Sequence, residues 1–151
     1  MTTPQQRVEA DLKTAMKAGE KVRLSTLRML LAEVKNDRIR RGGEVDEAAF
    51  AGLVRKAIKQ REEASEQYRK GDRPELADKE EGEAKLLATY LPAQVDEATI
   101  RAAVEALIAE RGLSGPAAMG PVMKEMLARF GSSADGAVVS RVAREALAGP
   151  R

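Results

Sequence analysis

Apolar residues recur at three- and four-residue spacing along most of this chain, and no segment keeps up the two-residue alternation of a half-buried strand. The pattern predicts an all-α protein. Thr3 and Gln6 bracket Pro4 as a helix start, and Val8, Leu12, Ala15 and Met16 then fall on one face until Gly19. A second helix is expected from about Glu20 to Arg40, with Leu24, Leu27, Leu31 and Val34 in a stripe about 80° wide, ended by Gly42 and Gly43. A third starts behind Asp46 and carries Phe50, Leu53, Val54, Ala57, Ile58, Ala64 and Tyr68 as far as Gly71. Asp72 and Pro74 open a fourth, which Pro92 brings to an end at Leu91.

After Pro92 charge density falls, Ala and Val rise and the breakers come closer together. Three shorter helices are expected there. Their stripes are Ile100, Val104, Leu107 and Ile108, then Met119, Val122, Met123, Met126 and Phe130, then Val138, Val139, Val142, Ala146 and Leu147. The predicted organisation is an elongated four-helix domain over 1–92 and a small three-helix tail domain over 93–151. The long third helix, on the order of 35 Å by its rise, is the reason for expecting elongation.

The chain of 151 residues has neither Cys nor His. That removes thiolate and imidazole chemistry, and with it zinc sites, Ser-His-Asp triads and the Glu-x-x-His pattern of di-iron bundles. No Gly-x-x-x-x-Gly-Lys-Ser/Thr loop is present, so nucleotide binding has no support, and neither a metal nor a cofactor is expected. No apolar run reaches the roughly 18 residues that span a bilayer, and the N-terminus MTTPQQRVEADLK has no apolar signal region. A cytoplasmic protein without a membrane partner is expected.

Net charge is only +2, but the charge is segregated. Residues 21–41 hold seven bases against two acids, whereas Glu75, Asp78, Glu80, Glu81 and Glu83 face Lys79 alone over residues 75–83. On the second helix Lys21, Arg28 and Lys35 recur every seven residues, about 10.5 Å apart, as one basic edge. They read either as phosphate contacts or as a solvated flank whose stems cover the core's margin. Arg40 and Arg41 extend this positive end. In the tail Lys124, Arg129, Arg141 and Arg144 are further candidate RNA contacts. With Phe50, Tyr68, Tyr90 and Phe130 as the whole aromatic complement, bound RNA would be read by backbone and shape rather than by stacking.

Arg38 and Arg61 sit within apolar stripes and need partners, and Glu80 and Glu83 interrupt the apolar stripe of the fourth helix. At least one of these arginines should pair with Glu80 or Glu83 at the edge of the interior. The competing reading is a catalytic carboxylate pair, which neighbouring arginines oppose by holding both groups ionised. Met119, Met123 and Met126 offer a different possibility, a face that docks a partner helix and makes the protein an adaptor.

Three segments together, RLSTLRMLLAEVKN from Arg23, KEEGEAKLLATYLPAQ from Lys79 and MGPVMKEMLARFGSSADGAVVSRVAREAL from Met119, resemble the YqeY family nearly end to end. Members of that family are similar to the C-terminal helical region of the B subunit of the glutamyl- or aspartyl-tRNA amidotransferase. The resemblance implies an elongated helical domain followed by a compact tail like the one that contacts tRNA there. The implied function is a non-catalytic tRNA-binding or tRNA-complex accessory protein, with tRNA or an aminoacylation complex as partner. Met119, Gly120, Ala134, Asp135 and Gly136 match the family pattern, while many members carry a basic residue where this chain has Ser133. The resemblance also carries an enzyme reading, a carbon–nitrogen ligase with glutamine as amido donor. That activity needs ATP, metal and an ammonia source housed in other domains and subunits, so it would require those parts.

Overall fold

A computed structural model describes residues 2–149. The fold is all-α, with seven α-helices and no strand among the described residues. In chain order these are α1 (Pro4–Ala18), α2 (Lys21–Arg41), α3 (Glu47–Lys70), α4 (Pro74–Ala88), α5 (Glu97–Arg111), α6 (Met119–Phe130) and α7 (Gly136–Leu147). Single 3-10 turns at Pro116–Ala118 and Gly131–Ser133 flank α6. Two compact units divide at the Leu91–Pro92 bond, the first holding α1 to α4 and the second α5 to α7.

Local chemistry fixes the helix ends. Thr3 and Gln6 form a reciprocal capping box at the start of α1, so two donors that no helical carbonyl reaches are satisfied. Asp46 accepts from the Ala49 amide at 2.8 Å and Asp96 from the Thr99 amide at 2.8 Å, starting α3 and α5. Gly19 and Gly42 close α1 and α2 at φ 69° and 72°, where a side chain would be strained. The α3–α4 turn departs from expectation. Its left-handed residue is Asp72, at φ 58°, while Gly71 stays at −86°. Asp tolerates that region because its short side chain bonds locally. Residue Arg73, not Asp72, precedes α4 as its cap, and it makes no capping bond. The helix also stops at Ala88, three residues before Leu91, because Thr89 turns its hydroxyl onto the Leu86 carbonyl and the last turn loosens.

The core of the first unit gathers Val8, Leu27, Leu30, Val34, Phe50, Val54 and Leu87. Each such side chain contributes on the order of 1.5–3 kcal/mol on leaving water. Phe50 meets Tyr90 edge to face, ring centres 5.9 Å apart, and the Arg7 guanidinium covers Phe50 at 5.5 Å. Tyr90 donates its hydroxyl to Asp11 at 2.5 Å, tying the end of the α4 segment to α1. Two positions expected in the interior lie outside it. Met16 is 56% exposed although Ala15 beside it is buried in the core, and Arg38 is exposed because the buried face of α2 ends at Val34.

The second unit packs α5, α6 and α7 around Ile100, Val104, Val122, Met126, Val139 and Val142. Asp135 accepts from the Ala137 amide at 2.9 Å and starts α7. The Val95 amide bonds to the Ser133 carbonyl at 2.9 Å, which fastens the strand-like entry of this unit to the turn after α6.

Candidate cationic surface

Several of the candidate cations are consumed by ion pairs within the fold, and the ones that are not define the candidate site. Along the α3–α4 hairpin Arg61 is buried, with its Nε 3.1 Å from Glu83 and 3.8 Å from Glu80. Those two atoms lie close enough to form an ion pair without the alignment of a hydrogen bond. One turn further along, Ser65 donates to Glu81 at 2.8 Å, and Arg69 grips both Glu81 and Asp78. The Ser65 hydroxyl, followed by the Arg69 guanidinium, holds the Glu81 carboxyl below the usual carboxylate range. The acidic block at residues 75–83 is therefore largely a clasp on α3. Arg38, the other stripe arginine, turns outward to Glu44 at 2.9 Å.

The tail has a matching network. Arg141 pairs with Glu97 and Glu145, and Arg101 reaches Glu145 at 2.7 Å and Glu97 at 3.5 Å, cross-linking α5 to α7. Arg141 first, and then Arg101, lowers the Glu97 carboxyl, whereas Arg101 is the larger cause at Glu145. Arg141 is consequently not a free cation. The same holds for Arg40 and Arg41, which close on Asp37 at 3.1 and 2.6 Å.

The remaining candidates are exposed and have no acidic partner among the described residues. Lys21, Arg28 and Lys35 line one edge of α2, and Lys124, Arg129 and Arg144 lie on α6 and α7. The Arg129 guanidinium lies over the Phe130 ring at 5.4 Å, and Arg144 makes only a 3.4 Å contact with Ser140. Beyond Lys35 the basic edge runs into a hollow of about 460 Å3 lined by Gln5, Arg38, Ile39 and the Gly42–Gly43 pair.

The methionine face does not survive as a docking surface. Met126 is buried in the tail core, and Met119 and Met123 pack against it half-buried, because all three lie on the side of α6 that meets α5 and α7. Leu127 is the exposed large apolar residue of α6, and apart from Met16 on α1 the others lie on α2, where Val22, Met29 and Ile39 are 54%, 40% and 79% exposed. A search for one stripe per helix passes over them, and their signal was a second three- and four-residue spacing on the opposite face. No group of three or more Asp or Glu that could hold a metal ion occurs among the described residues.

The YqeY family model, described as Yqey-like protein, matches residues 5–147. Among curated relatives, Altered inheritance of mitochondria protein 41, mitochondrial, from Lachancea thermotolerans is 37% identical over 112 residues, covering 72% of this chain and 60% of that protein. The protein of the same name from Vanderwaltozyma polyspora is 39% identical over 85 residues, 56% of this chain and 46% of its own. That from Pyrenophora tritici-repentis is 30% identical over 130 residues, 82% and 71%. The chain thus spans about half to three-fifths of the length of the first two. These names overturn the expected cytoplasmic location, since each relative is described as mitochondrial. That expectation rested on the lack of an apolar run. No described helix is long and apolar enough to cross a membrane, and this property does not fix a compartment.

Proposed function

The chain belongs to the YqeY family, and from that premise we propose that it is a non-catalytic accessory module that associates with tRNA or with a complex handling tRNA. One observation carries this reading. Lys21, Arg28 and Lys35 on the first unit and Lys124, Arg129 and Arg144 on the second keep no acidic partner among the described residues, in a chain whose 24 acids nearly match its 26 bases. Arg38, Arg40, Arg41 and Arg141 are neutralised by acids of their own unit, whereas these six stand as fixed positive points. Such points attract a polyanion by releasing its condensed counterions, with no contribution from base identity. The similarity of the tail to a tRNA-contacting element of the amidotransferase supports tRNA as that polyanion.

The test is direct association of the intact chain with bulk tRNA at about 50 mM salt, with a duplex RNA of equal length as control. Binding that weakens steeply as salt rises is expected. Absence of any salt-dependent association at that low salt would end the proposal. A second reading, a protein adaptor, is favoured by the exposed Val22, Met29 and Ile39, which phosphate contacts leave unexplained.

A further inference from the structure

The outer face of α2 carries a second repeat, independent of the one it buries. Val22, Ser25, Met29, Ala32, Asn36 and Ile39 follow the alternating three and four spacing of a coiled-coil seam, and all six are exposed. In that register Val22, Met29 and Asn36 are a positions and Ser25, Ala32 and Ile39 are d positions. The three g positions are Lys21, Arg28 and Lys35. The basic edge and the exposed apolar groups are therefore parts of one pattern, three heptads long, or about 32 Å.

From this juxtaposition we infer that the outer face of α2 docks a helix of a partner protein, with apolar residues facing the seam and carboxylates flanking it. The inference rests on the accessory reading above and deepens it: it reassigns the Lys21, Arg28 and Lys35 row from the polyanion to a protein of the complex and keeps Lys124, Arg129 and Arg144 of the tail for RNA. Three features select an acidic helix. Phosphates would satisfy the basic row but leave Ile39 and Val22 in water, whereas a helix covers both. Small Ser25 and Ala32 permit close approach, and Asn36 at an a position sets register. The uniformly basic g row demands acids opposite it.

A second copy of this chain is a poorer occupant. Laid antiparallel it sets Lys21, Arg28 and Lys35 against their own equivalents, and laid parallel its favourable Arg28–Glu33 pair is offset by Lys35 against Arg40 while Lys21 meets the buried Thr26. The seam is only half apolar, so the unpartnered face remains soluble and the contact reversible.

The experiment uses the intact chain and a synthetic helical peptide of about 22 residues with Leu at a and d and Glu at e and g. One control peptide has Ser at a and d, and another has Lys in place of Glu. We expect the Leu/Glu peptide to bind at least about tenfold more tightly than the Ser control. The triple variant V22S/A32S/I39S, which spares Met29 because its sulfur contacts the buried Arg61 at 2.7 Å, should weaken that binding by about tenfold while leaving tRNA affinity within about twofold, because its changes are exposed and uncharged. The variant K21E/R28E/K35E should exchange the Glu peptide for the Lys peptide. Equal binding of the Leu and Ser peptides, or no effect of the apolar triple, overturns the seam. Loss of tRNA rather than peptide binding in the apolar triple makes the face an RNA surface and overturns the inference. Peptide binding without tRNA binding defeats only the tRNA reading, and the converse defeats only this inference.

Discussion

Arg61 shows how a single buried cation organises the α3–α4 hairpin. It lies under α4 with Glu83 and Glu80 as its counter-ions, and Glu83 is itself buried. Removing one member leaves the other charged and desolvated, so Glu83→Ala should cost about 3 kcal/mol or more. Replacing Arg61 and Glu83 together by Leu should cost clearly less, and chemical denaturation of both variants checks the order. Equal costs, or none for Glu83→Ala, would remove the pair from the account of stability. Tyr90 gives a pH signature. Burial first, and then its hydrogen bond to Asp11, raises the phenol well above its ordinary value of about 10. The folded state holds that proton more tightly than the unfolded chain does. The associated stability is fully present below about pH 10 and is lost as pH rises beyond it. Tyr90→Phe should flatten the alkaline decline in melting temperature, and an unchanged decline would locate the loss in other groups.

At the level of elements, α2 has the most to explain because it is used on two faces. Thr26, Leu27, Leu30, Leu31 and Val34 are buried, while Val22, Met29 and Ile39 face water. A helix with apolar residues on both sides shows weak periodicity, and reading one stripe from Leu24, Leu27, Leu31 and Val34 therefore omitted Leu30 and extended inward to Arg38. Caps were far more legible, because a Ser, Thr or Asp before a periodic run satisfies stranded amides using chain neighbours alone. Asp46 at the head of α3 is such a case, and Asp46→Ala should lower stability by about 1 kcal/mol in thermal or urea unfolding. The pairing of Arg61 with Glu80 and Glu83 was legible because its members interrupt apolar stripes, but the surface ion-pair lattices were not. Arg141 with Glu97, and Arg69 with Glu81, join residues 44 and 12 positions apart, and only the packed helices bring them together. The sequence could mark Arg141 as a surface cation but could not show that it was already spent.

For the whole molecule, the balance of neutralised and unneutralised charge is the central claim. Acids and bases nearly cancel over 151 residues, yet Lys124, Arg129 and Arg144 in one unit and Lys21, Arg28 and Lys35 in the other keep no acidic partner among the described residues. The relatives to which this chain is similar are longer than the segment they share with it, and the function proposed here belongs to that shared helical part. The most direct test is the dependence of tRNA affinity on salt for the intact chain and for the variant K124S/R129S/R144S. A steep logarithmic slope is expected, becoming shallower by up to about one for each cation removed that contacts a phosphate. A slope identical in the two proteins, or no salt-dependent binding by either, would contradict it.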